Sequence, residues 1–471
     1  MQRLAKRIWQ VFWGAPELVP LGGLLGFILL GSLLLALPPM HKEGAVPYVD
    51  ALFTSTSALC VTGLTTVNTA TDFTLGGQTL ILILIQLGGL GIMAYAALAL
   101  SLISLRVSLR TRSALESSLF QQETGRLFTA RLRQVFAFAL GIEAIGALLL
   151  FFSLVPDHSL GSAAWSAVFH SVSAFCNAGF SIYPNNLEAA KGNHVFLLVI
   201  SLLIVLGGLG FVVLAELRDK LQARFVCRLA IRTRRSRVSR PDSSPLRLRL
   251  SLHTRVVIAT SLILIVAGAG LLLLFGVTPQ ERGLGEKISA AFFQSISART
   301  CGFNTISIGS LPLASLLVLI MLMFIGGSPG SCAGGIKTTS AAVLGARLRS
   351  LVTGRKDTVL GGWRLNPLAV RSAELLFFLA VLWNLTGVLV LSHLEGTKGN
   401  VDLQNLLFEQ ISAFGTVGLS TGVTPALSTG AKLWLIATMY VGRLGPLTLA
   451  SLAAFRRPTP VIFPESRVMI G

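Results

Sequence analysis

Four short runs carry the residues of this chain that could do chemistry. They are "LFTSTSALCVTGLTT" (52–66), "VFHSVSAFCNAGFS" (168–181), "FFQSISARTCGFNT" (292–305) and "LFEQISAFGTVGLST" (407–421). Each has a Phe, Ser-rich turns, a Ser-Ala pair and then a glycine followed by Leu or Phe: Gly63, Gly179, Gly302 and Gly418. The glycines are 116, 123 and 116 residues apart, and the third copy is one residue shorter between Ser-Ala and Gly. The chemistry this suggests is coordination. Glycine permits backbone geometries that turn carbonyls inward with no side chain in the way. Four such loops around one axis would stack rings of carbonyls able to replace the hydration shell of a monovalent cation. No His/Asp/Ser constellation for covalent catalysis appears. His170 reads as a hydrogen-bonding residue, and the chain reads as no enzyme. There is no P-loop or dinucleotide fingerprint, so no nucleotide is expected on this chain.

A second motif follows each first one: "QLGGLG" (86–91), "VLGGLG" (205–210), "FIGGSPG" (324–330) and "YVGRLG" (440–445). Small residues at this spacing suit close helix packing. Two motifs in fixed order, four times, define an internal repeat of span, re-entrant segment and span. Each re-entrant stretch is shorter than the roughly 20 residues that cross a bilayer. Non-helical backbone at that depth is tolerated where it lines a cavity.

The elements that must position these loops are apolar. The 471 residues are 53% hydrophobic and only 13% charged, against roughly 25% charged in soluble domains. Apolar segments near 16–37, 78–100, 133–155, 194–216, 256–277, 311–326, 368–392 and 431–455 predict eight spans. The first reads as a retained helix rather than a cleaved leader. The short sixth runs into "GGSPGSCAGGIKTTS" (326–340), a helix breaker, and then resumes. The five cysteines form no CxxC pair and read as small packing residues.

The net charge of +19 is unevenly placed. Segments 101–133, 217–255 and 347–371 hold six, twelve and six basic residues; residues 1–7 hold three, and Arg456, Arg457 and Arg467 lie in the tail. The intervening loops 38–52, 156–168, 278–290 and 393–404 are poor in them. The positive-inside tendency predicts cytoplasmic termini and basic loops. The twelve in 217–255 also suggest docking of an acidic partner or anionic lipid. Charge placed this way argues against nucleic acid. The fold class expected is an all-α integral membrane protein. It has a fourfold pseudo-symmetric repeat of span–pore loop–span units, with eight transmembrane helices and four re-entrant half-helices. The repeats are bounded 1–110, 111–235, 236–355 and 356–471.

These motifs resemble the Trk/Ktr/HKT superfamily of potassium transporters, and most closely the membrane subunit of a bacterial Ktr system. "SISARTCGFNT" (295–305) and the broken sixth span carry the resemblance, which covers nearly the whole chain. It implies potassium uptake across the bacterial cytoplasmic membrane, stimulated by sodium, with K⁺ as transported ion and Na⁺ as activator. It implies a selectivity filter of Val61, Thr62 and Gly63; Asn177, Ala178 and Gly179; Thr300, Cys301 and Gly302; and Thr416, Val417 and Gly418. K⁺ would sit at the carbonyls of Thr62, Ala178, Cys301 and Val417. A glycine at position 63 implies potassium preference, since serine there goes with sodium in this family. Gly326, Gly327, Gly330, Gly334, Gly335 and Lys337 would form a gating loop, with Arg443 beside it below the filter. Glu409 is expected at the outer mouth or among the pore helices. The resemblance further implies a homodimer, membrane lipids around it, and a cytoplasmic RCK-type nucleotide-binding ring. An ion-coupled alternating-access transporter with broken helices is the alternative; four equivalent loops and few intramembrane acids weigh against it. A membrane scaffold would leave the four loops unexplained.

Overall fold

The structure is a computed structural model that describes residues 18–42, 44, 46–91, 126–190, 192–232, 250–277, 283–396 and 401–445. The basic runs at 1–7, 101–125 and 233–249, and the tail arginines, lie outside these residues.

Long apolar runs with few breakers give helices, and the chain is predominantly helical. In order they are α1 (Leu18–Leu35), α2 (Tyr48–Leu59), α3 (Leu75–Leu90), α4 (Arg126–Leu154), α5 (Leu160–Phe175), α6 (His194–Leu209) and α7 (Phe211–Arg232). Then come α8 (Leu252–Phe275), α9 (Leu284–Ser297), α10 (Leu313–Phe324), α11 (Thr338–Val352), α12 (Pro367–Glu395), α13 (Leu403–Gly415) and α14 (Thr429–Leu444). Starts are capped as the sequence allows: Thr74, Asn193, Ser251 and Ser428 each accept a backbone N–H of the first turn.

The all-α expectation needs one small amendment. A two-stranded hairpin, β1 (Val359–Leu360) with β2 (Trp363–Arg364), follows α11. Its two turn residues, Gly361 and Gly362, have φ of +58° and +85°, the geometry a tight two-residue hairpin requires. In the basic segment 347–371, Arg347 pairs with Glu374 at 3.1 Å and Arg364 with Asp357 at 3.0 Å.

Among the described residues, three helices are long and apolar enough to cross a membrane: Gln134–Leu154, Leu252–Phe275 and Pro367–Glu395. The pair His194–Leu209 and Phe211–Ala223, bent by 104°, makes a fourth. Gly22–Leu35, Leu75–Leu90 and Leu313–Phe324 are apolar but shorter. The long helices turn Leu140, Ile145, Leu148, Phe152, Leu262, Ile263, Phe378, Leu385 and Leu389 outward. An apolar surface this continuous is at home in lipid rather than water, and the chain is a multi-pass membrane protein.

The second helix of repeat 2, expected as one span over 194–216, is broken. Gly210 ends α6 with φ +90°, and α7 departs sideways. Hydropathy runs on unbroken through "GFVVLAEL", so the break left no mark in composition.

Contacts between helices run in one direction round the molecule. The short helices α2, α5, α9 and α13 precede the four loops. Helix α3 packs against α5, α6 against α9, α10 against α13, and α14 against α2. The last contact closes the circuit, and Lys432 of α14 donates to Asp50 of α2 at 2.8 Å across it.

Candidate functional site

The four loops meet. A Cβ built on Gly63 would fall on the carbonyl oxygen of Ala178, one on Gly179 on that of Cys301, one on Gly302 on that of Val417, and one on Gly418 on that of Thr62. All four approaches are inside the 3.0 Å that real side chains keep. Each glycine therefore lies against the carbonyl preceding the glycine of the next loop, and the series closes on itself. The expected residues 61–63, 177–179, 300–302 and 416–418 come together at one place, all of them away from the surface.

The backbone is unusual at two positions in every loop. The glycines have φ of +91°, +65°, +88° and +93°. Two residues earlier Val61, Asn177, Thr300 and Thr416 also have positive φ, at +57°, +60°, +78° and +47°. A non-glycine residue in this region costs on the order of 1–3 kcal/mol and persists only where its surroundings over-determine it. Val61, Thr300 and Thr416 are β-branched, which makes the conformation rarer still.

The surroundings that impose it start with the serine of each Ser-Ala pair. Ser57 Oγ accepts the Gly63 N–H at 3.0 Å. Ser173 Oγ donates to the Phe180 carbonyl at 2.8 Å, and Ser297 Oγ donates to that of Phe303. Ser412 Oγ accepts the Gly418 N–H at 3.1 Å and donates to the Leu419 carbonyl at 2.6 Å. Two residues earlier, Ser55, Ser171 and Ser295 donate to the carbonyls of Ile28, Glu143 and Ile265, at 2.8, 2.7 and 2.8 Å. These bonds fix the short helices to the first helix of their own repeat, and Gln410 replaces the serine in the fourth. The sequence reading singled out the glycines and passed over these serines, although the four aligned strings contain them.

The second motif divides its glycines between two tasks. A Cβ at Gly88, Gly207 or Gly442 would overlap the carbonyl oxygen of Leu59, Phe175 or Phe414, the ends of the short helices. The expected close packing is thus present. The last glycines, Gly91, Gly210 and Gly445, have φ of +87°, +90° and +84° and stop their helices.

The third copy instead enters a lasso over 325–337. Its base is pinched by Gly326 N–H to the Ile336 carbonyl at 2.9 Å and Thr338 N–H to that of Gly327 at 3.0 Å. Gly330 and Gly335 supply its positive φ, +70° and +62°. The lasso lies directly against the third and fourth loops: a Cβ on Gly334 would overlap Thr416 Oγ1, and one on Gly326 would meet Thr300 Cγ2 at 3.1 Å. It also fills the break in repeat 2, through Ser328 N–H to the Gly208 carbonyl and Phe211 N–H to that of Gly330, both 3.0 Å. Gly327 packs against Ala333 within the lasso. Arg443 clamps it, donating to the carbonyls of Cys332 in the lasso and Gly88 in repeat 1. Lys337 turns back to the lasso's own carbonyls at Ala333 and Gly334. The lysine therefore caps the backbone that bends around it.

Glu409 is fully buried behind the fourth loop and accepts from Ser420, Thr421 and Thr424. His170 occupies the matching place in the second. Its Nδ1 lies 2.8 Å from the Ser166 carbonyl, its Nε2 3.0 Å from Ser181 Oγ, and its ring stacks on Tyr183 at 4.8 Å. Burial raises the Tyr183 phenol above its ordinary value. Asn177 donates its side-chain amide to the Ala174 and Ile204 carbonyls at 3.0 and 3.1 Å. Cys60, Cys176, Cys301 and Cys332 are free and buried, as packing residues would be. Three buried hydroxyls in the loops have no protein partner, those of Thr62, Thr66 and Thr416.

Residues 27–464 match the family model of TrkH, described as a cation transport protein. The chain is 32% identical to the potassium/sodium uptake protein NtpJ of Enterococcus hirae, covering 100% of this chain and 99% of that one. It is 33% identical to Ktr system potassium uptake protein B of Bacillus subtilis over 97% of this chain and 96% of the other. The protein of the same name from Vibrio alginolyticus is 34% identical over 97% and 95%. Among solved structures, the potassium transporter TrkH from Vibrio parahaemolyticus superposes with a TM-score of 0.69 at 20% identity, covering 93% of this chain and 85% of that one.

Proposed function

From the premise that this chain belongs to the TrkH family of cation transport proteins, we propose that it takes up potassium across a bacterial cytoplasmic membrane through a filter of backbone carbonyls. One observation carries this reading: the four glycines and the carbonyls before them form a closed series, each touching the next. An ion on the axis of such a series would meet oxygens from all four loops, chiefly those of Thr62, Ala178, Cys301 and Val417. Oxygens held in place beforehand replace hydration water without reorganisation as the ion enters. The unpartnered hydroxyls of Thr62 and Thr416 are what a site for a cation would leave in its absence.

Four span–pore loop–span units with eight spans fit this reading, with the short helices α2, α5, α9 and α13 aiming their negative C-terminal ends at the ion. The lasso 325–337 acts as the gate, since it abuts Thr416 and Thr300 and is held by Arg443. Sodium stimulation, a second copy of the chain and a cytoplasmic nucleotide-binding regulator belong to the same reading. The similarity to Ktr system proteins supports them, and the basic cytoplasmic loops would serve as their docking surface.

The test is K⁺ or Rb⁺ flux in proteoliposomes, with and without Na⁺, for wild type and Gly63→Ser. The side chain would press on the Ala178 carbonyl and resist the φ of +91°. K⁺ flux whose preference over Na⁺ collapses in the variant is expected. A variant as selective as wild type would remove Gly63 from the filter.

A further inference from the structure

Behind each loop, three residues before the serine of the Ser-Ala pair, stands a buried polar side chain: Thr54, His170, Gln294 and Glu409. The four differ in what they bond. Thr54 Oγ1 and both polar atoms of the Gln294 amide have no hydrogen-bond partner. His170 and Glu409 are tied to the loops they stand behind. Since each loop touches the next in chain order, the second and fourth face each other across the axis. At this position one diagonal of the ring is tied to its loops by a side chain and the other is not.

Glu409 is the stronger anchor. One carboxylate oxygen takes the Ser420 hydroxyl at 2.7 Å, the Thr421 N–H at 3.0 Å and the Thr421 hydroxyl at 3.4 Å. The other takes the Thr424 hydroxyl at 2.7 Å. Every partner is a donor, and every one lies in the six residues after Gly418. None is a cation, so this carboxylate serves no ion pair. A fully buried carboxyl group is costly unless its oxygens are satisfied, and here one short stretch of chain satisfies them all.

We propose that Glu409 is a positioning residue for the fourth loop: it fixes the carbonyls of Thr416 to Gly418 against the neighbouring loops and thereby sets the preference for K⁺ over Na⁺. His170 does the same for the second loop through Ser181. The inference rests on the filter reading above. Its physical basis is that a ring tells the two ions apart only if its oxygens resist closing round the smaller one. The loop behind those oxygens is where that resistance is supplied.

The experiment is titration of K⁺ and of Na⁺ onto the full-length chain purified in detergent, read as the ratio of the two dissociation constants. Binding is read at equilibrium and does not depend on how far the gate is open. Glu409→Gln keeps the volume but removes the charge that strengthens these bonds and turns the Thr424 hydroxyl from donor to acceptor, and the Na⁺/K⁺ ratio is expected to fall about tenfold. Thr424→Val removes one donor and should move the ratio the same way by less. The double variant should fall short of the sum of the two single effects, because Thr424 shares one hydrogen-bonded cluster with Glu409 and Ser420. Gln294→Met, equally deep but unbonded, should stay within about twofold of wild type. Gly63→Ser in the same titration reports on the filter itself. If Gly63→Ser lowers the ratio while Glu409→Gln and Thr424→Val do not, the anchor is wrong and the filter stands. If Gly63→Ser also leaves it unchanged, the filter reading fails and takes the anchor with it. Should Glu409→Gln not fold, Thr424→Val decides, and an unchanged ratio there overturns the inference.

Discussion

Glycine does three separate jobs in this chain, and only position tells them apart. At Gly63 it supplies a positive φ and lets a neighbouring carbonyl close in; at Gly91 it stops a helix; at Gly207 it lets a carbonyl of the short helix α5 rest on α6. At Gly141, within α4, it does none of these, and a Cβ there would meet nothing within 4 Å. The same substitution should therefore have opposite signs at two sites. Gly207→Ala forces a Cβ onto the Phe175 carbonyl and is expected to cost about 1–3 kcal/mol. Gly141→Ala should stabilise by about 0.5–1 kcal/mol through helix propensity. Thermal unfolding in detergent checks both, and a Gly207→Ala protein as stable as wild type would contradict the packing described. The glycines were legible because four copies line up. The serines that hold the loops were in the same strings, but their task depends on a hydrogen bond across a turn, and spacing alone does not single that out from a Ser-rich background.

At the scale of elements, the lasso 325–337 is the proposed gate. Beyond its own base it is held by Ser328 N–H to Gly208, Phe211 N–H to Gly330 and Arg443 to Cys332, and Arg443 ties it on to α3 through the Gly88 carbonyl. Charge-assisted bonds of this kind are worth about 1.5–3 kcal/mol each. Arg443→Ala should therefore free the lasso and raise K⁺ flux in proteoliposomes by about tenfold, without loss of fold. Flux equal to or below wild type from a well-folded variant would show that the lasso does not hold the path shut. The lasso itself was legible, since a run of Gly, Ser and Pro cannot continue a helix. The break at Gly210 was not. The lasso docks there on Gly208 and Phe211 from more than a hundred residues away in sequence, while the local composition stays largely apolar.

At the scale of the molecule, the four matched motifs made the order of helix, loop and helix legible, and the contacts follow it round from α3 on α5 to α14 on α2. Among the described residues, length and apolarity by themselves pick out three helices, or four if the bent pair counts as one span. What closes the circuit is a pair no spacing rule anticipates, Lys432 with Asp50, 382 residues apart. Whether this circuit surrounds an ion is tested most directly by a structure of the full chain with Tl⁺ or Rb⁺ and the anomalous signal of that ion. A peak is expected on the axis among the carbonyls of Thr62, Ala178, Cys301 and Val417, weakened when Na⁺ replaces most of the heavier ion. Bound ion elsewhere in the protein, with no peak inside the ring, would contradict the filter reading.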